Sequence, residues 1–330
     1  RLRDNTAPLS AIVQSRKVRR LIDRIDPDLV HAMRVPFEGI LAGEALKYST
    51  RPLLVSIWGT DFTLQASSSP LVRAMTVRAM RRADAVHPDC RRDLRLAIEH
   101  RFCSSNPSIV LPGNGGVRTH LFKPGPRDAA LAAKWNIPDG SPVIINPRGL
   151  KPYIRFDTFF QSIPLVLAKR PNAVFLGAQM QEIAVAKNWI SKLSIASSVR
   201  CLPFVSHDVM ASFFRLADVT VSPSDHDGSP NTLLESMACG SFPVAGNIES
   251  VREWIDDGVN GLLCDQSNPE SLAAATLKAL EDAPLRKAAC ELNIKIIEER
   301  AQQSAVMARA DAFYSEVVAF KGLRQPSPAA

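Results

Sequence analysis

Short apolar runs alternate with helix-patterned segments through this 330-residue chain, and the alternation restarts near its middle. In the first half, helical spacing over Ala11–Ile25 leads into the run Asp28-Leu29-Val30-His31-Ala32. A helix near Gly39–Tyr48 precedes a second run, Pro52–Ile57, which ends at Trp58-Gly59-Thr60-Asp61. A helix over Pro70–Arg82, the run Ala85-Val86-His87, another helix and the run Ser108–Leu111 follow. Such alternation predicts strands of a parallel sheet covered on both faces by helices. Between His120 and Ser141, Lys123-Pro124-Gly125-Pro126 and Pro138-Asp139-Gly140 are breakers that mark an inter-domain connection. Beyond it, Pro142–Asn146, Ala173–Gly177, Val199–Leu202, Val219–Ser222, Phe242–Ala245 and Gly261–Cys264 read as strands. Helices are expected over Phe156–Lys169, Gln181–Leu193, Ser206–Ala217, Thr232–Cys239 and Ser250–Asp256. Two long helices, Pro269–Glu281 and Leu285–Phe320, close the chain, and the tail Arg324–Ala330 is expected to be disordered. The prediction is α/β: two doubly wound domains, residues 1–138 and 139–330. Ligands of such folds bind at the carboxyl ends of strands, here expected in the cleft between domains.

Composition excludes several function classes. No apolar run approaches the ~18 residues that span a bilayer, so no transmembrane helix is expected. The first residues, RLRDNTAPLS, carry no apolar signal region and no initiator methionine. Six cysteines are scattered without a C-x-x-C pair, which fits neither a disulfide framework nor a zinc site and suits a reducing cytoplasm. The six histidines are dispersed without H-E-x-x-H, so no protein-held metal is expected. The net charge of +7 is uneven: residues 1–140 carry a surplus of nine positive charges and the remainder a deficit of two. That asymmetry suits phosphates or an anionic membrane surface as well as an ordinary arginine-rich surface. Only three tyrosines and four tryptophans occur, none in a stacking platform, so nucleic acid is not an expected partner. No G-x-G-x-x-G follows a strand, which argues against a dinucleotide dehydrogenase.

One segment concentrates the chemistry. Residues 223–240 read PSDHDGSPNTLLESMACG and leave the strand ending at Ser222. Gly228 permits close backbone approach, Ser229 is a candidate N-cap, and Pro230 suits the first helical position. The amides that follow would point outward, and a helix N-terminus with unbonded N–H groups suits a diphosphate. Glu235, about one turn into the helix, could accept two hydroxyl hydrogen bonds from a ribose, with Asp227 placed nearer a sugar. Taken singly these residues have ordinary readings: Asp227-Gly228 is a common turn pair, and a Glu in an early turn complements the helix dipole by only ~0.3–1 kcal/mol.

The whole string resembles the paired-acid element of the retaining glycosyltransferases of family 4, which have the two-domain GT-B fold. Asp227, seven residues, Glu235 and then Ser236-Met237-Ala238-Cys239-Gly240-Ser241-Phe242-Pro243-Val244 follow that family's pattern. Asp257-Gly258-Val259-Asn260-Gly261-Leu262-Leu263 and Pro203-Phe204-Val205-Ser206-His207 are similar to its landmarks. So are Pro27–Ala32, Gly59-Thr60-Asp61, Arg82-Ala83-Asp84 and Asn114-Gly115-Gly116-Val117. The likeness runs over about residues 15–300.

The resemblance implies transfer of a sugar from a nucleotide-diphosphate sugar to an acceptor hydroxyl, on a glycan or lipid-linked saccharide, with retention and without a metal or other cofactor. It places Glu235 on the ribose, Asp227 on the donor sugar, the segment Gly228, Ser229, Pro230 and Asn231 facing the diphosphate or sugar, and Leu234 among the donor-binding residues. Arg148 matches the Arg that neutralises the departing diphosphate, a role a guanidinium fork fits. The family's Lys five residues later is Tyr153 here, leaving Lys151 and Arg155 as equal candidates for the second cation. Asp227 replaces the usual Glu, and Trp58 stands where many members have His before Gly-x-Asp. Asp61 and Trp58 are candidates on the acceptor side, Asp61 serving equally well as a helix cap. Nothing before Ala11 resembles the family's opening strand and glycine-rich loop, so the N-terminal domain is expected to lack its first strands. Alternatives are a GT-B nucleotide-sugar epimerase and a non-catalytic protein binding a nucleotide sugar or anionic lipid. The expected location is cytoplasmic, with peripheral contact at the inner face of the plasma membrane.

Overall fold

The computed structural model describes residues 2–324. Helix starts follow local chemistry. Ser69, Asp128, Asn268 and Asp282 each accept a hydrogen bond from an amide of the turn they cap, and three of those helices carry a proline in the first turn. The elements in chain order are α1 (Leu2–Ile25), β1 (Val30–Ala32), α2 (Ile40–Ala45), β2 (Leu53–Ile57), α3 (Pro70–Arg82), β3 (Ala85–Pro88) and α4 (Arg91–Glu99). Then come α5 (Ala129–Lys134), β4 (Val143–Asn146), α6 (Phe156–Leu167), β5 (Val174–Gly177), α7 (Ala184–Lys192), β6 (Val199–Cys201), α8 (His207–Leu216) and β7 (Val219–Ser222). The last are α9 (Asn231–Ala238), β8 (Phe242–Gly246), β9 (Leu262–Cys264), α10 (Pro269–Glu281), α11 (Ala283–Arg300) and α12 (Gln303–Arg324).

Two compact units result. The first holds the residues up to Gly115, the loop Asp227–Ser229 and α12 from Ala305 on; the second holds Gly116–His226 and Pro230–Ser304. The first unit's division thus falls earlier than residue 138, and the breaker-rich stretch after His120 lies wholly in the second. Every named strand is parallel to its neighbours, in the orders β1-β2-β3 and β6-β5-β4-β7-β8-β9. This is the predicted α/β class, with sheets of doubly wound type.

Side chains alternate across the strands, so each sheet builds a core on both faces. In the first unit Leu53, Val55 and Ile57 pack with Val35, Leu46 and Met80, while Leu54 and Ala85 on the other face meet Phe313 and Val317 of α12. In the second, Val143 and Ile145 join Phe213, Phe214 and Leu233, and Ile144 joins Phe159, Phe160 and Phe175.

Several sequence expectations are corrected. Ser108–Leu111 forms no named strand, although Ile109 and Leu111 donate to Val86 and Pro88 carbonyls along the sheet edge. The short helix expected over Ser250–Asp256 is a run of turns. The long helix expected over Leu285–Phe320 is broken at Ala301, whose carbonyl accepts from Val117 N at 2.6 Å while Gln303 N donates back to Val117 O at 2.9 Å. The disordered tail falls largely on residues 325–330, outside the described ones. No helix among the described residues is long and apolar enough to cross a membrane.

Candidate functional site

In the second unit, strand order reverses at β4 and β7: β5 and β6 lie to one side, β8 and β9 to the other. Loops leaving the carboxyl ends of two such strands diverge and open a crevice. After β4 that loop carries Arg148, and α9 follows β7. The sequence candidates Arg148, Asn231 and Glu235 are therefore mounted on neighbouring strand ends. Arg148 donates its amide to Asn146 Oδ1 at 3.1 Å, and Gly149 next to it takes φ +71°, a left-handed turn that suits glycine.

Pro230 stands at the N-cap of α9, one position earlier than expected, and gives the helix no side-chain cap. Ser229 is not the cap. Leu233 and Leu234 donate to the Pro230 carbonyl at 2.8 and 3.1 Å, which leaves the amides of Asn231 and Thr232 without a carbonyl one turn behind them. Thr232 Oγ1 is buried with no partner among the described residues. Leu234 has its side chain wholly buried in the core, and its amide donates to the Pro230 carbonyl.

Glu235 is half-buried one turn along, and burial pushes its carboxyl up to about 7, with the positive charge of Arg118 opposing. A desolvated carboxyl without hydrogen-bond donors among the described residues is poised for donors from a ligand. Arg118 was missed in the sequence. It directly follows the Asn114–Val117 landmark, but nothing in the spacing ties it to Glu235.

The two candidates for the second cation separate. The Arg155 guanidinium grips Asp157 through two bonds of 3.1 and 3.0 Å and reaches Asp225 at 3.5 Å. Lys151 is exposed and makes no ion pair among the described residues, its ammonium lying 6.0 Å from the Tyr153 ring.

The loop Asp227–Ser229 belongs to the first unit. Ser229 Oγ donates to the Asp89 carbonyl, and Gly228 N bonds Asp227 Oδ1 at 3.1 Å. A Cβ added to Gly228 would stand 2.0 Å from Asp89 Oδ2, and one added to Gly59 would stand 1.8 Å from Gly228 N. Close backbone approach is thus required at both glycines, against protein rather than a ligand. Burial, then the charges of Asp93 and Asp227, hold the Asp89 carboxyl well above the usual range. Asp89, Cys90 and Asp93 lie close enough to share an ion, yet the Arg92 guanidinium already bonds Asp93 Oδ1 at 2.9 and 2.7 Å.

Asp61 has its partners within the first unit. It is fully buried; Oδ1 accepts from Arg34 at 3.1 and 2.8 Å, and Oδ2 accepts from Val35 N and Trp58 N at 3.0 and 3.2 Å. Both oxygens join the loops after β1 and β2. Trp58 remains accessible and lines a cavity of the first unit, its indole N–H donating to the Met33 carbonyl.

Comparison with known proteins identifies the family. The family described as glycosyl transferases group 1 matches residues 128–295, just over half of the chain, and that described as glycosyl transferase 4-like matches residues 1–89. A D-inositol 3-phosphate glycosyltransferase of Thermobispora bispora is 28% identical over 222 residues, covering 64% of this chain and 51% of that protein. The chain spans about half the length of the curated relatives it matches. Among solved structures, HepE of Anabaena in complex with UDP and glucose has a TM-score of 0.78 at 18% identity, over 92% of this chain and 81% of its own. Sucrose-phosphate synthase of Thermosynechococcus elongatus gives 0.77 at 15% identity, over 92% and 77%. At those identities the structural likeness establishes the fold, which is of GT-B type. By its family match this chain belongs to the glycosyl transferases group 1.

Proposed function

We propose that the chain binds a nucleotide-diphosphate sugar and transfers the sugar, with retention, to a hydroxyl of a glycan or lipid-linked acceptor. The observation that carries this reading is Glu235: a desolvated carboxyl on α9, just beyond two unbonded helical amides at the sheet's switch point. Glu235 takes the ribose hydroxyls, and the amides of Asn231 and Thr232 take phosphate oxygens. Arg148 and Lys151 stabilise the charge that builds on the diphosphate as the glycosidic bond breaks, which is electrostatic catalysis by fixed donors. Lys151 is preferred to Arg155 because its charge is not already committed to two carboxylates. The leaving phosphate accepts the acceptor's proton, so neither a side-chain base nor a protein-held metal is required. The positive surplus over residues 1–140 would favour a peripheral, cytoplasmic site on an anionic membrane, testable by salt-sensitive binding to phosphatidylserine vesicles.

Calorimetric titration of UDP, GDP and ADP into the wild-type chain and Glu235→Gln is the test. One nucleotide is expected to bind, with affinity reduced at least tenfold by the substitution. Equal affinity in both proteins would remove Glu235 from the site and the reading with it.

A further inference from the structure

One long face of α1 is uncovered. Ala11 packs on Ile40, Met75 and Ala79 of α2 and α3, Ile22 joins the core of the first unit, and Ser15 between them is buried. At 3.6 residues per turn the opposite side carries Val13, Arg16, Lys17, Arg20 and Arg24, all exposed, with exposed Leu21 and Ile25 along one flank. From Ser10 to Ile25 the helix has five cations, these four and Arg19, against one acid, Asp23. Val13 and Ile25 are 68% and 62% exposed, so apolar surface stands in water among the positive charges.

A second group of cations adjoins it. Arg19 donates to the carbonyls of Glu44 and Ala45 at 3.3 and 2.8 Å, and Arg82 to those of Leu46, Ser49 and Arg51 at 2.9, 3.2 and 2.9 Å. The turn after α2 is thus held from both sides, and it presents Lys47 and Tyr48 outward. Tyr48 is 79% exposed, with Lys47 Nζ 4.9 Å and Arg19 Cζ 5.9 Å from its ring centre. Arg19 therefore joins the two groups into one strip. Beside Lys47 a cavity of about 270 Å³ is lined by Arg78, Arg81 and Arg82 of α3, a helix with four arginines and no acid. Four neighbouring acids are already paired: Glu44 with Arg78, Asp84 with Arg82, and Asp23 and Asp26 with Arg51. Lys47, Arg81 and the four cations on the outer side of α1 make no ion pair among the described residues.

Because α1, α2 and α3 each lead into a strand, their C-termini, with Arg24, Lys47, Tyr48 and Arg81, lie at the amino ends of β1, β2 and β3. The loops that carry Arg34, Trp58 and Asp61 leave from the opposite ends, where ligands of such sheets bind. The strip is therefore separate from a sugar-transfer site. A second copy of the chain would bring like charges together here. Nucleic acid would find one exposed ring on the strip, Tyr48, and no row of rings for its bases. A bilayer with anionic lipids meets all three features: phosphates for the cations, a headgroup layer for the tyrosine, and shallow hydrocarbon for Leu21 and Ile25.

We propose that this strip is the surface by which the chain docks on an anionic phospholipid bilayer, with the α1 cations on lipid phosphates and one headgroup seated between Lys47 and Arg81. The proposal rests on the peripheral-membrane part of the function proposed above and names its surface, and it uses no residue of the donor site.

The test is cosedimentation of the whole chain with phosphatidylcholine vesicles, with and without phosphatidylserine. Wild type is compared with Arg20→Glu/Arg24→Glu, with Lys47→Glu/Arg81→Glu, and with the control Lys287→Glu/Lys295→Glu, which makes the same change in net charge at exposed positions of the second unit. Vesicles with phosphatidylserine are expected to bind wild type in a salt-sensitive manner. Each pair on the strip should weaken that binding about tenfold or more, and the control pair by less than about threefold. Inorganic phosphate should release no more protein than chloride of equal ionic strength, and selective release by phosphate would make the occupant a free anion and overturn the proposal. Thermal melts and UDP titration of every variant monitor folding and the donor site. Equal losses in all three pairs would reduce the effect to net charge and remove the strip, as would binding of duplex DNA in place of vesicles. If vesicles behave as expected and UDP fails to bind, the surface stands and the transfer reading falls. If UDP binds and vesicles do not, the transfer reading stands and the surface falls.

Discussion

Asp61 in the first unit and Glu235 in the second are both carboxyls withdrawn from water, and they differ in what meets them. Asp61 receives two bonds from a guanidinium and one from each of two amides. Glu235 has a distant cation, Arg118, and a carboxyl raised to about 7. The first arrangement holds two loops together. The second leaves hydrogen-bonding capacity unspent at a cost to stability, as expected at sites that reserve it for a ligand.

The largest effect that would sharpen this contrast is on Asp61. Asp61→Ala strands Arg34 and two amides, and is expected to cost about 3 kcal/mol in urea unfolding. A loss below about 1 kcal/mol would mean that water replaces the carboxylate, and the contrast would dissolve.

Glu235→Gln should behave oppositely, stabilising the chain at alkaline pH while weakening nucleotide. The sign follows from linkage. A carboxyl raised in the folded state favours folding fully below its ordinary value near 4.5, and that favour is lost as pH rises through about 7. The stability difference between Glu235→Gln and wild type should therefore open between pH 4.5 and 7 and stay constant above. Its size, allowing for partial exposure, is about 2 kcal/mol. Nucleotide affinity of the wild type should fall as pH drops below 7, because only the carboxylate accepts two hydroxyl bonds. A flat difference between the unfolding curves from pH 5 to 8 would show that Glu235 is as well served as Asp61.

The smallest effects concern the paired cations of the β4–α6 loop. Lys151→Ala should slow sugar transfer about tenfold, a change of ~1.4 kcal/mol in the barrier, with the melting temperature unchanged. Arg155→Ala should instead lower stability by about 1 kcal/mol through its released carboxylates, with a smaller change in rate. The reverse pattern would assign the leaving-group cation to Arg155.

What was legible in the sequence was local. Apolar runs marked the named strands because a strand buried on both faces needs apolar residues throughout. The Asp227 to Glu235 string marked α9 because loop, first turn and helix are contiguous. Relations made by folding were hidden. Arg118 comes to act on Glu235 only after the chain has wound β4 through β7. His31 and His87 looked dispersed because parallel pairing, which brings both within reach of Ser56, joins strands that the chain separates by whole helices. The bonds of Asp61 were hidden because its partners, Arg34 and Val35, belong to a different loop. The break at Ala301 was invisible because its cause is Val117, which pairs with the backbone there rather than with any side chain.

The placement of α12 sets an order in time. Phe313 and Val317 complete a core face begun by Leu54 and Ala85, yet about 190 residues of the second unit are made in between. At a synthesis rate of 5–20 residues per second, that is a wait of roughly ten to forty seconds. During it, one face of the nascent first sheet stays uncovered while the second unit, its residues nearly contiguous, can close. A ribosome-stalled chain that has emerged only as far as Ser304 would thus present a finished second unit, and a first sheet with its apolar side still open to chaperones.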